Sequence, residues 1–271
     1  MDNDGDLDLL QSGQSAVIDQ ASNVQLSFTV LLINDGSGGF ADRGDEMVGL
    51  NNGDLVLGDV DGDGDLDLVV SGKSSSGERR TDLYRNGPDG LIDAGAGLPG
   101  VEASDLALGD YDRDGDDDLV IGGIATDDEL ITSLLDNDGS GLFTTNAEVR
   151  LPGIQAGDVT WADYDNDQDL DLILAGNVGQ TSVLQIWENT IGQLALPDSA
   201  FALEPLTDLV GVDRAAIAMA DPDGDGDLDL ISSGRGAGGA PTTTVNDNLV
   251  AADNFPPSVP AGLDAEASGD T

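Results

Sequence analysis

One short pattern in this chain has the residue types and spacing to do chemistry: Asp-x-Asp-x-Asp-Gly-x-x-Asp. It stands at Asp59, Asp61, Asp63, Gly64 and Asp67, and again at Asp110, Asp112, Asp114, Gly115 and Asp118. A third copy runs through Asp163, Asp165, Asp167, Gln168 and Asp171, and a fourth through Asp221, Asp223, Asp225, Gly226 and Asp229. A shortened copy, Asp2, Asp4, Gly5 and Asp8, lacks its leading position. Hard cations such as calcium take six to eight oxygen ligands in a flexible shell. Aspartates at positions 1, 3 and 5 of a tight turn bring three carboxylates to one point. The residue at position 7 (Asp65, Asp116, Asp169 or Asp227) offers its backbone carbonyl, and the Asp at position 9 completes most of the shell. Glycine at position 6 supplies the left-handed backbone of the turn. Uncompensated, carboxylates this close repel one another. The pattern therefore predicts Ca2+ at three to five loops. The third copy has Gln168 at position 6, where left-handed backbone costs a non-glycine residue about 1 kcal/mol. Weaker binding is expected there, and the Asp2 loop is short of a ligand.

Other loops with similar spacing do not fit. An EF-hand requires Glu at position 12 and flanking helices, whereas position 12 here holds Val70, Ile121, Leu174 or Ser232. Nonapeptide β-helix repeats recur every nine residues; the full copies here start 51, 53 and 58 residues apart. Composition narrows the partners. The 271 residues carry 54 Asp and Glu against 9 Lys and Arg, a net charge of −45, and 25 of the 46 aspartates lie inside the five loops. Nucleic acid and anionic membranes both need a basic face, so neither is an expected partner. No apolar run reaches the ~18 residues of a membrane span, so no membrane insertion is expected. The chain has no Cys and no His. That removes disulfides, thiolate chemistry and the commonest general base.

The elements that must hold the loops show in the columns around them. Ten residues before each full loop stands a Gly and an aliphatic: Gly49-Leu50, Gly100-Val101, Gly153-Ile154 and Gly211-Val212. One residue before each loop is small: Gly58, Gly109, Ala162 and Ala220. A turn signal follows at Asn34-Asp35-Gly36, Asn86-Gly87, Asn137-Asp138-Gly139, Asn189 and Asn246. Short runs such as Leu55-Val56-Leu57 alternate towards one apolar face and read as a first strand. Leu66 to Val70 and Asp82 to Arg85 read as a second and third, with a fourth near Leu91. No segment has a helical period. Four-stranded units of ~50–60 residues are the arithmetic of an all-β fold, a β-propeller. Five repeats are expected, near 1–48, 49–99, 100–152, 153–210 and 211–251.

Leu57-Gly58-Asp59 and the acidic run that follows it, with the sister copies, resemble FG-GAP/VCBS repeats, the calcium-loop blades of integrin-alpha-type propellers and of many secreted bacterial proteins. The resemblance covers about residues 1–250. It implies a propeller, usually of seven blades, with calcium in the loops between the first two strands of each blade. Five motifs would make this chain part of a longer array, with further blades or domains as partners within the full-length chain. Residues 252–271 are expected to be a poorly ordered Pro-rich linker. Within them, Phe255 to Leu263 resemble the opening of a fibronectin type III domain.

The function expected is a calcium-binding scaffold, secreted or at the cell surface, that adheres to an extracellular protein or glycan. The alternative is the propeller part of a secreted polysaccharide lyase or hydrolase. Catalysis within this chain is not expected, because most of its carboxylates are better explained as ligands or loop surface. Arg79 and Arg80 with Tyr84 form the only compact basic-aromatic cluster, read as an exposed loop before a carboxylate or sugar site. Trp161 and Trp187 stand at strand positions and are expected in the core. The contact surface is expected in Lys73–Thr81, Ala125–Leu130 and Asn177–Thr181, equivalent segments at one side of the array.

Overall fold

The computed structural model describes residues 1–2, 4–19, 24–191, 201–203, 209–236 and 238–248; the tail at 252–271 lies outside them. Among the described residues the chain forms strands and no helix. The first repeat holds β1 (Leu9–Asp19), β2 (Val24–Asn34) and β3 (Phe40–Asp42). The second holds a first strand in two pieces, β4 (Leu50–Asn51) and β5 (Leu55–Gly58), then β6 (Asp67–Ser74), β7 (Arg79–Arg85) and β8 (Ile92–Asp93). The third holds β9 (Val101–Gly109), β10 (Asp118–Ala125), β11 (Leu130–Asp136) and β12 (Thr144–Thr145). The fourth holds β13 (Gln155–Ala162), β14 (Asp171–Val178), β15 (Thr181–Asn189) and β16 (Phe201–Leu203). The last holds β17 (Asp213–Ala220), β18 (Asp229–Arg235) and β19 (Pro241–Asn246). All pairings are antiparallel and keep sequence order within a repeat. The second and third repeats join into one sheet through a single bridge, Arg80 to Val101.

Each apolar cluster is shared by two successive repeats. Val69 and Leu83 pack with Leu106, Leu119 and Ile121; Val120 and Leu134 pack with Val159, Leu172 and Leu174; Ile173 and Ile186 pack with Val212 and Leu230. This corrects the reading of one apolar face per first strand. Leu55 and Leu57 meet the cluster shared with the first repeat, while Val56 meets the one shared with the third. In the second, third and fourth repeats both faces are apolar because each is sandwiched between two neighbours, and burial of that surface stabilises by roughly 25 cal/mol per Å². Trp161 is in the core as expected, its ring 6.0 Å from Tyr111 and stacked, and Trp187 packs on the same cluster.

The Gly-aliphatic column now has a cause. A Cβ at Gly49, Gly100, Gly153 or Gly211 would sit 2.1, 2.4, 2.0 or 2.1 Å from a backbone oxygen of the preceding repeat. Only glycine lets the two backbones approach so closely, and the aliphatic that follows is at most 1% exposed.

The first strands carry a bulge that the sequence reading missed. Asn52, Ala103, Ala156 and Arg214 all have left-handed backbone, φ 53, 48, 49 and 51°. The register of β9, β13 and β17 shifts around it. A bulge re-aims the residues beside it. Two residues on, Asp54, Asp105 and Asp158 turn their carboxylates to the neighbouring first strand, where they accept the backbone N–H of Leu106 (3.1 Å), Val159 and Ile217.

Alternation of antiparallel strands places the Asp loops and the Asn turns at one end of the stack. The hairpins after the second strands lie at the other. Two of the three hairpin segments expected to cluster do touch. Arg79 Nη1 donates to the Ala125 carbonyl (2.6 Å) and pairs with Asp128 (2.7 Å). The reading of Arg79 and Arg80 as an exposed loop is corrected as well. Both are on β7; Arg79 also pairs with Glu102 (2.7 Å), Arg80 pairs with Asp82 (2.7 Å), and Tyr84 is buried.

Candidate metal centres

Each Asp loop is wound by its own side chains. The N–H at position 6 donates to a carboxylate oxygen at position 1: Gly64 to Asp59 (3.0 Å), Gly115 to Asp110 (3.2 Å), Gln168 to Asp163 (3.1 Å) and Gly226 to Asp221 (3.2 Å). The N–H at position 7 donates to position 5: Asp65 to Asp63, Asp116 to Asp114, Asp169 to Asp167 and Asp227 to Asp225, at 2.9 to 3.3 Å. Short aspartate side chains make such turns readily. Position 6 is left-handed throughout, including Gln168 at φ 76°. Position 4 is left-handed too, and there Arg113 and Asn166 take φ 64 and 62° without glycine.

Four groups of three carboxylates result, each with ligand atoms within 4.8 Å of one another: Asp59, Asp61 and Asp67; Asp110, Asp112 and Asp118; Asp163, Asp165 and Asp167; Asp221, Asp223 and Asp225. Positions 1 and 3 converge in all four. The third member is position 9 in the first two groups and position 5 in the last two, so Asp63, Asp114, Asp171 and Asp229 stand outside their groups. No such group among the described residues includes Asp2, Asp4 or Asp8. Asp8 instead accepts the Met1 ammonium (2.7 Å) and the Asn34 N–H (2.9 Å).

The loops fit a hard cation on a further observation. Asp61 Oδ1, Asp110 Oδ1, Asp118 Oδ2 and Asp163 Oδ1 are buried oxygens with no hydrogen-bond partner among the described residues. An unpaired buried acceptor costs about 1–3 kcal/mol, more when charged. Burial first, then repulsion from Asp114 and other loop carboxylates, raises Asp112 and Asp116. Burial pushes Asp118 up to about 7, against the hydrogen bond from Asn137. A bound cation would relieve both costs, since opposite charge favours the ionised form.

Sequence reasoning missed the neighbours of the loops. Arg113 Nη2 pairs with Asp169 Oδ2 of the next loop at 2.9 Å. Arg85 Nε stands 3.6 Å from Asp61 Oδ2. The asparagine of each turn reaches back to the preceding loop; in the last repeat that residue is Asn248, whereas Asn246 closes the strand pair with Leu230. Asn248 follows Asp221 at the spacing by which Asn86 follows Asp59 and Asn137 follows Asp110, a signal in the sequence that singles it out, and its N–H donates to Asp229 (2.8 Å) as theirs do to Asp67 and Asp118.

The FG-GAP-like repeat family matches the chain twice, over residues 59–121 and 110–174. These spans hold the Asp loops that start at Asp59, Asp110 and Asp163. No curated protein matches the chain. No helix of the described residues is long and apolar enough to cross a membrane.

Proposed function

We propose that this FG-GAP-like repeat chain is a calcium-dependent scaffold that works outside the cell and presents its hairpin end to a protein or glycan partner. The observation that carries the reading is the set of four carboxylate groups, three of which hold buried oxygens without a hydrogen-bond partner among the described residues. Calcium is the cation whose oxygen-rich, irregular shell such loops suit. At the ~10⁻⁴ M affinity of extracellular modules, millimolar calcium adds about 1–2 kcal/mol per site. Four sites add about 4–8 kcal/mol, comparable to the whole stability of a typical domain. Such a protein is firm in calcium-rich surroundings and loose where calcium is scarce, which favours an extracellular setting. A scaffold is favoured over an enzyme because Arg79 and Arg80 are committed to ion pairs.

The test is thermal unfolding of the chain in EDTA, then with calcium, with magnesium as control. Calcium should raise the midpoint by about 10 °C or more at these energies, and magnesium should not reproduce it. No shift at millimolar calcium would remove the reading. A glycan and protein binding screen of the loaded chain addresses the partner.

A further inference from the structure

One buried asparagine ties each Asp loop to the next. Asn137 Nδ2 donates to the Val60 carbonyl, position 2 of the Asp59 loop (2.9 Å), and to the Asp117 carbonyl, position 8 of its own repeat's loop (3.1 Å). Its backbone N–H donates to Asp118 Oδ1 at position 9 (2.8 Å). Asn189 repeats this with Tyr111 (2.7 Å), Leu170 (3.3 Å) and Asp171 (2.8 Å). Asn248 repeats it with Tyr164 (2.7 Å), Leu228 (3.2 Å) and Asp229 (2.8 Å). Asn86 likewise joins the Met1 carbonyl (3.0 Å) to Asp67 Oδ1 (2.8 Å). All four asparagines are at most 7% exposed. Inside a loop, position 2 is bonded to position 9: Val60 N–H to Asp67 Oδ2 (3.1 Å) and Tyr164 N–H to Asp171 Oδ2 (2.9 Å). A hydrogen-bonded path therefore runs from Asp67 through Val60 and Asn137 to Asp118.

We propose that Asn137, Asn189 and Asn248 couple successive Asp loops, so that a cation held by one loop raises the affinity of the next. The proposal rests on the loops being calcium sites. Position 2 lies between two ligand positions, so a cation that fixes positions 1 and 3 also fixes the carbonyl between them. That carbonyl holds the asparagine, and the asparagine holds positions 8 and 9 of the following loop. A loop whose main chain is already ordered loses less entropy on binding. Linkage makes the effect reciprocal.

The experiment is a calcium titration of the full chain labelled with 15N-glycine. The amides of Gly64, Gly115 and Gly226 each bond to the position-1 carboxylate of one loop and report it separately. Asp59→Asn should move the Gly115 midpoint to higher calcium by about fivefold or more, and move that of Gly226 less. In an Asn137→Ala background, Asp59→Asn should leave the Gly115 midpoint unmoved. An unchanged Gly115 midpoint with Asn137 intact, or equal displacement of Gly115 and Gly226, overturns the coupling while calcium binding stands. No glycine amide moving at millimolar calcium overturns the calcium reading itself. If Asn137→Ala does not fold, the pair Asp163→Asn and Asn248→Ala, read at Gly226, makes the same comparison.

Discussion

Replacing Asp105 by Asn should stabilise the protein, and more so as pH rises. Asp105 sits on β9 between Asp54 of the preceding repeat and Asp158 of the following one. Burial, and then repulsion from Asp54 and Asp158, pushes its carboxyl up to about 9. Burial raises both neighbours as well. A carboxyl raised in the folded state contributes most to stability below its unfolded value near 4. That contribution is lost as pH climbs through the folded value, so the window here is about pH 4 to 9. Each pH unit in the window costs about 1.4 kcal/mol, a ceiling of about 4 kcal/mol at pH 7. Water reaches this half-buried trio, so about 2 kcal/mol is the expected gain, or roughly 4–8 °C in midpoint. Asparagine keeps an oxygen for the Val159 N–H and adds a donor towards Asp54 and Asp158. The assay is calorimetry of both proteins in saturating calcium at pH 5, 6, 7 and 8. A gain that grows with pH supports the reasoning. A loss of stability that is the same at pH 5 and pH 8 would refute it, because Asp105 would then be an ionised acceptor that the structure needs.

Gly153→Ala should cost about 1–3 kcal/mol by overpacking, since its Cβ would lie 2.0 Å from the Leu130 carbonyl oxygen; Gly87→Ala, with nothing within 4 Å, should be near neutral in the same denaturant melt. Gln168→Gly should add about 1 kcal/mol by relieving left-handed strain and should tighten calcium at the Asp163 loop, read by titration calorimetry; a loss on both counts would show that the glutamine side chain holds the turn. Tyr84→Phe should cost about 1–3 kcal/mol in the same melt, because the hydroxyl of this buried tyrosine accepts the Val48 N–H at 2.9 Å.

The repeat period, the Asp loops and the order of strands were legible because they depend on residue type and local spacing. Position 6 of the loop announces itself by glycine, and its left-handed φ follows. The first-strand bulge was not legible, because Asn52, Ala103, Ala156 and Arg214 share a left-handed φ but no side-chain chemistry. The column Asp54, Asp105 and Asp158, five residues before each full loop except the last, could have been found by alignment of the repeats. Its meaning could not, since only the stacking of sheets brings the three together. Asn248, in contrast, was legible: it keeps the spacing from its loop that Asn86 and Asn137 keep from theirs, which Asn246 does not, and its bonds to Asp229 and Tyr164 follow from that position.

Two sets of aspartates therefore solve one problem in different ways. In the Asp loops, three carboxylates converge with buried oxygens left over, and the loop main chain can wrap a cation. Along the first strands, Asp105 stands between Asp54 and Asp158 and each carboxylate accepts a neighbouring N–H; Asp105 also shares a side-chain hydrogen bond with each of the other two, so a proton is the species that quiets their repulsion. The two remedies respond to opposite changes in the medium. Loss of calcium loosens the loop end, and rising pH loosens the first strands. A chain that is loaded with calcium and mildly acidic should be at its most stable, and removing either condition should add to the cost of removing the other, because they act on separate contacts between successive repeats.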